Sequence, residues 1–186
     1  MLEDLVITNR SYRRFYQHMP LGMEMLRELV NLARLSPSAA NRQALKFVLS
    51  SDPPMNARIY PFIRIDNNPP EGERPSDYVI ILEDTEIRMA MPADYGIAAQ
   101  TIHLAAVEKG FGGCMIGAID RDGLRQELTI PERYKVLLIL ALGKPIETQQ
   151  VIETQTKDGP THQWWDEDRV RHVPKWPLDD LILEMG

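Results

Sequence analysis

"PADYGIAAQTIHLAAVEKGFGGCMIG", Pro92 to Gly117, decides how the chain is read. It begins with a proline suited to a first helical turn and runs to Gly110, where a helix would stop. Ile97, Ala98, Ala99, Ile102, Leu104, Ala105, Ala106 and Val107 give that helix small or apolar groups on almost every side. Such a helix is expected to be buried on most sides. Gly110, Gly112, Gly113 and Gly117 then lead into an apolar run, CMIGAI (Cys114 to Ile119), which reads as a strand. The order is helix, glycine-rich turn, strand. A dinucleotide fingerprint requires strand, loop, helix, so a Rossmann reading is rejected. The glycines still allow a planar ligand to lie close against the backbone. In a chain of 186 residues, two buried helix faces call for the sheet on one and a partner subunit on the other.

Three further runs read as strands: KFVLS (Lys46 to Ser50), YVIILE (Tyr78 to Glu83) and KVLLILALG (Lys135 to Gly143). The last is apolar without alternation, the mark of a strand covered on both faces. Leu21 to Leu35 carries Leu26, Leu29, Val30 and Ala33 at helical spacing and is ended by Pro37. Asp120 to Leu128 reads as a short helix. Between Asp52 and Asp77 fall Pro53, Pro54, Pro61, Pro69, Pro70 and Pro75. This stretch is expected to be a loop over the body, with one helical turn near Ala57 to Ile63 and no long helix or central strand. The tail from Val151 holds two aromatic clusters, THQWWDEDRV and HVPKWPLDDLILE, which suit docking on another surface. Together the elements define one α+β domain over residues 1–186.

Composition narrows the function. With 27 acidic and 21 basic residues the net charge is −6, which argues against broad binding to nucleic acid or anionic membranes. The N-terminus, MLEDLVITNR, does not read as a signal peptide. Val136 to Leu142 is too short to span a bilayer. Cys114 is the sole cysteine, which excludes an intrachain disulfide and points to a reducing, cytoplasmic setting. Set in an apolar strand, it reads as a small core residue in preference to a nucleophile. His18, His103, His162 and His172 are scattered without ligand spacing, so no metal site is expected and each reads as a surface or core histidine. NRSYRRF, Asn9 to Phe15, concentrates Arg10, Arg13 and Arg14 around Ser11. Planar guanidinium forks beside a hydroxyl suit a phosphate. SPSAANRQ, Ser36 to Gln43, sets a Pro-Ser turn before two side-chain amides, donors and acceptors that need partners.

Taken in order, five pieces resemble the nitroreductase family of FMN-dependent oxidoreductases, over about Asn9 to Leu183. They are RSYRRF, LARLSPSAANRQALKF, ADYGIAAQTIHLAAVEKGFGGCMIG, IPERYKVLLILALGKP and HVPKWPLDDLI. The resemblance implies a single nitroreductase-like FMN-binding domain, with a central, mostly antiparallel sheet flanked by helices. It implies FMN as cofactor and NAD(P)H as co-substrate. A small acceptor such as a nitroaromatic or quinone would be reduced by a ping-pong route, with no protein side chain acting as catalyst. It implies that Pro37, Ser38 and Asn41 line the flavin pocket and that Arg10, Ser11 and Arg13 hold the 5′-phosphate. Lys175 would close that cage, and Ile116 and Gly117 would present backbone near the reactive flavin nitrogen. A homodimer with FMN at its interface is also implied. Two positions depart from the family pattern: Ala44-Leu45 replaces Pro-Trp, and Trp176 stands where a second basic residue is common. The alternatives are a specialised flavin chemistry, namely dehalogenation, flavin cleavage or a biosynthetic oxidation, and a non-catalytic flavin-binding protein.

Overall fold

The computed structural model describes residues 1–66, 68–87, 91–154, 159 and 161–183. The chain forms two compact units, Met1–Ile146 and Glu147–Gly186.

In the first unit the elements are α1 (Leu2–Thr8), α2 (Met23–Leu35), β1 (Leu45–Ser50), α3 (Pro53–Ile59), β2 (Asp77–Asp84), α4 (Pro92–Glu108), β3 (Gly112–Ile116), α5 (Arg121–Glu127) and β4 (Tyr134–Gly143). The four strands form one sheet in the order β1-β2-β4-β3, and every pairing is antiparallel. The expected central strand is therefore β4. Alternate side chains of one strand leave opposite faces, so its apolar run feeds two cores. Val79, Ile81, Leu140 and Leu142 pack on α2 and α4, against Leu26, Leu29, Ala98, Ala99 and Ile102. Tyr78, Ile80, Cys114, Ile116, Ile139 and Ala141 pack on the other face, with Ile59 of α3 and Leu124 of α5. Cys114 is thus a core residue, 6% exposed.

A register shift between Ile81 and Leu82 leaves Leu137 as the extra residue of β4. The bulge returns Val136 to the same core as Ile139, and Arg121 satisfies its loosened carbonyls, donating to Val136 O at 3.0 Å and Leu137 O at 3.2 Å.

Two expected boundaries moved. The strand read at Cys114 to Ile119 starts at Gly112 and stops at Ile116. Beyond it the chain turns to another partner: Arg64 N donates to Ala118 O at 3.0 Å, and Ile63 bridges Ile119. The helical turn near Ala57 to Ile63 begins earlier, at Pro53, because proline is tolerated in a first turn. Asp52 caps it by accepting from Met55 N at 3.1 Å.

Helix α4 buries Ala98, Ala99, Ile102, His103, Ala105, Ala106 and Val107. Ile97 remains 39% exposed and Leu104 half-buried, an apolar stripe on its outer side. Among the described residues no helix is long and apolar enough to cross a membrane.

The second unit holds a three-stranded sheet of β5 (Thr148–Glu153), β6 (Trp164–Trp165) and β7 (Val170–Lys175), in the order β5-β7-β6. β5 and β7 are parallel and β6 pairs antiparallel with β7. Asp166 accepts from Val170 N at 2.8 Å and bonds His172 Nε2 at 2.7 Å, while the His172 ring stacks on Trp164 with centroids 5.3 Å apart.

Candidate flavin site

The segment Arg10 to Phe15 has no regular structure of its own, and its backbone groups are satisfied by β3 and its neighbours. Ser11 bridges Gly113, and Tyr12 N donates to Gly113 O at 2.9 Å. Phe15 bridges Pro145. Of the predicted residues, Ser11 is therefore fixed at the start of the strand that carries Ile116 at its end, with Gly117 next in the chain; Arg10 and Arg13 flank it in sequence.

The arginines are held differently. Arg10 donates from Nη2 to Val6 O at 2.6 Å, while its Nε is buried without a hydrogen-bond partner. Burial holds its guanidinium below the ordinary arginine range, against an opposing contribution from Tyr12. Arg13 donates to Ser11 O at 3.0 Å and pairs with Asp66 at 3.2 Å. Arg14 is turned away to Glu73, whose carboxyl that hydrogen bond holds below the usual carboxylate range.

At Gly117 the backbone is open. No atom lies within 4 Å of the position a Cβ would occupy, and the residue is exposed. Arg121 fixes its carbonyl at 3.3 Å. A planar ring can approach such a backbone closely.

The second predicted group sits at the opposite end of α4. Asp94, in the first turn, accepts from Ala39 N at 2.8 Å and from Met91 N at 3.1 Å. It thereby caps the helix and pins the SPSAANRQ loop. Ser36 Oγ bonds Thr101 Oγ1 at 2.9 Å. Ala40 (φ 50°), Asn41 (φ 51°) and Gln43 (φ 53°) occupy the left-handed region. Strain of this kind persists where surrounding contacts over-determine it, and it clusters at functional sites. Pro37 and Ser38 line a cavity of about 520 Å³ with α2, β1 and Asp94, while Asn41 is exposed and does not line it.

Asp94 and His103, which lies beside Arg10 and Gly113, are nine residues apart on α4. At 1.5 Å per residue the two predicted groups are separated by about 14 Å along the helix. Lys175 belongs to the second unit, exposed at the end of β7, where its carbonyl accepts from Thr154 N at 2.7 Å.

Sequence reasoning missed Asp94 and Asp66 as partners of the site, and it took His103 for a generic histidine. His103 is 3% exposed. Burial pushes its imidazole down to about 4, opposed by a hydrogen bond to the Gly113 backbone and reinforced by the charge of Arg10. The folded value lies below the ordinary value of about 6.5. The unfolded chain therefore takes up a proton that the folded chain refuses. The stability contribution is complete above about pH 6.5 and is lost as the pH falls toward 4, by roughly 3 kcal/mol. Urea unfolding across this window should show that loss, and His103→Phe should flatten it. An unchanged slope in the variant would assign the acid limb to other groups.

Among the described residues no cluster of His, Cys, Asp or Glu could hold a metal. The residue types instead suit an organic anion joined to a planar ring: two arginines and a serine within four residues of chain, and an unobstructed backbone at Gly117, just past the strand that Ser11 bridges. The Nitroreductase family model matches residues 7–74 and 74–144, and the chain belongs to that family. A protein of Archaeoglobus fulgidus, provisionally named an NADH dehydrogenase/NAD(P)H nitroreductase, is 26% identical over 180 residues, covering 92% of this chain and 97% of its own. The crystal structure of a nitroreductase family protein from Streptococcus pneumoniae TIGR4 superposes with a TM-score of 0.74 at 16% identity, covering all of both chains. A solved structure from Exiguobacterium sibiricum 255-15 in complex with FMN gives 0.67 at 18% identity, over 79% of this chain and 89% of that one. The similarity confirms the α+β nitroreductase fold.

Proposed function

We propose that the protein is an FMN-dependent oxidoreductase that passes electrons from NAD(P)H to a small acceptor such as a nitroaromatic or quinone. The observation that supports this reading is Ser11, flanked by Arg10 and Arg13 in the chain, bridged to Gly113 on the strand that ends beside the open backbone of Gly117. Family membership, the FMN complex of the Exiguobacterium neighbour and the name of the Archaeoglobus relative support it. Bound FMN would supply the redox chemistry of both half-reactions. The chain supplies the holding groups. Arg10, Ser11 and Arg13 would hold the FMN phosphate. Ile116 and Gly117 would lend backbone to the ring, and Pro37, Ser38 and Asn41, about 14 Å away along α4, would meet a flavin bound at the dimer interface.

The working form is a cytoplasmic homodimer in which residues 1–186 act as one functional domain. The apolar stripe of α4 supports the dimer, as do Leu2 and Ile7 of α1, 68% and 53% exposed. Heating the purified protein should release FMN, identified by absorbance and mass, and light scattering should give a dimer. A colourless protein that ignores added FMN at micromolar concentration would end the flavin reading. A flavin-loaded protein that consumes no NAD(P)H with any acceptor would leave a binder and not an enzyme.

A further inference from the structure

The loop from Ser36 to Ala44 holds a conformation that its own packing does not explain. Ala40 (φ 50°), Asn41 (φ 51°) and Gln43 (φ 53°) lie in the left-handed region, which a residue with a Cβ occupies only at a cost. All three are exposed, as is Pro37, so burial does not offset that cost. The loop is instead tied to other elements at its two ends and at Ala39. Ser36 Oγ bonds Thr101 Oγ1 at 2.9 Å, Ala39 N donates to Asp94 Oδ1 at 2.8 Å, and Ala44 O accepts from Asp84 N at 2.8 Å. Asp94 is 5% exposed and divides its two oxygens. Oδ2 accepts from Met91 N at 3.1 Å and caps α4, while Oδ1 takes the N–H of Ala39, 55 residues away in the chain. Capping needs only one of these oxygens. The other acts on the residue directly before the left-handed pair Ala40 and Asn41. Pro37, Ser38 and Asp94 share the wall of the 520 Å³ cavity.

We propose that Asp94 is a positioning residue for the flavin: through Ala39 N it sets the turn from Pro37 to Asn41 in its strained form before the cofactor arrives, so that binding does not have to order it. The proposal rests on the reading that Pro37, Ser38 and Asn41 meet the flavin. It assigns Asp94 no part in the redox chemistry. The exposed, strained turn then has a purpose outside the fold.

The test separates the two oxygens. Met91→Pro deletes only the capping donor, and Met91 already has the backbone angles of a proline, φ −72° and ψ 146°. Asp94→Ala deletes both bonds. Both variants should lose thermal stability. Only Asp94→Ala should raise the FMN Kd, about tenfold, the effect of one hydrogen bond, at a temperature well below its unfolding midpoint. Amide exchange in the full-length, FMN-free protein, followed by NMR, is the second readout. The Ala39 amide should be protected in the wild type and in Met91→Pro. In Asp94→Ala it should exchange faster, together with its neighbours in residues 36–43. Ala39→Pro is the converse variant, removing the donor while keeping the carboxylate and the helix cap. Ala39 opens a 3₁₀ turn and follows an extended Ser38 (φ −133°, ψ 154°), a setting that accepts proline. This variant should also raise the FMN Kd. Equal increases in Met91→Pro and Asp94→Ala would overturn the proposal, because the carboxylate would then act only through its helix. An unchanged Kd in Asp94→Ala would do the same, as would an Ala39 amide that exchanges freely in the wild type. If Asp94→Ala does not fold, Ala39→Pro against Met91→Pro decides. If the wild-type protein binds no FMN, the functional reading fails, while amide exchange still decides whether Asp94 sets the turn.

Discussion

Gly113→Ala is expected to destabilise the protein by about 3 kcal/mol or more, beyond the usual effect of one added methyl. A Cβ there would stand 2.5 Å from Leu142 Cδ2 and 2.7 Å from Ala141 O. The leucine could turn aside, but the carbonyl belongs to the central strand and cannot. For a chain of this size the midpoint of thermal unfolding should fall by roughly 6–12 °C. Gly117→Ala makes the contrast. Nothing lies within 4 Å of its Cβ position, so its unfolding midpoint should hardly move. The new methyl should instead weaken FMN binding, because it occupies the approach to the backbone. Calorimetry and FMN titration on both variants separate the roles. Equal thermal losses would show that the open space at Gly117 is filled in the folded protein.

Arg13→Ala should weaken FMN affinity about ten- to a hundredfold, the effect of losing a charge-assisted bond of about 1.5–3 kcal/mol. Arg14→Ala should cost much less, since its guanidinium is engaged by Glu73. Asp66, 69% exposed, competes for Arg13, so Asp66→Asn should leave affinity unchanged or improved. Flavin fluorescence titration reads all three. Equal losses from Arg13→Ala and Arg14→Ala would mean that the phosphate cage has been assigned to the wrong arginines.

Local pattern carried most of the first unit. The unbroken run from Val136 to Leu142 announced a strand covered on both faces, and the surrounding apolar groups of Pro92 to Gly110 announced a buried helix. The second unit was harder to read for a physical reason. Pro174 lies inside β7, the middle strand of its sheet, where the missing N–H argues against a strand at all. It is tolerated because β6 is two residues long and pairs only with His172 and Arg171. At Pro174 the remaining partner is β5 alone. The candidate site divides in the same way. Arg10, Ser11 and Arg13 could be picked out because they are consecutive in a motif. Asp94 and Asp66 could not, because each meets the site only through a long-range contact. His103 is invisible for a different reason: in an apolar helix a buried histidine looks like core until its neighbours are known.

The sheet order also has a consequence for how the chain is made. β1 pairs with β2, β2 with β4, and β4 with β3, so no pair is a tight hairpin. The arginine segment near residue 11 meets its partner only at Gly113. Contacts of such long sequence separation require large loops to close before they give any return, and topologies built from them fold slowly. Translation delivers the arginine segment first and β4 among the last pieces of this unit. Until Gly143 has emerged, β2 and β3 both lack the strand that joins them, and the early-made arginine segment waits on a late-made strand.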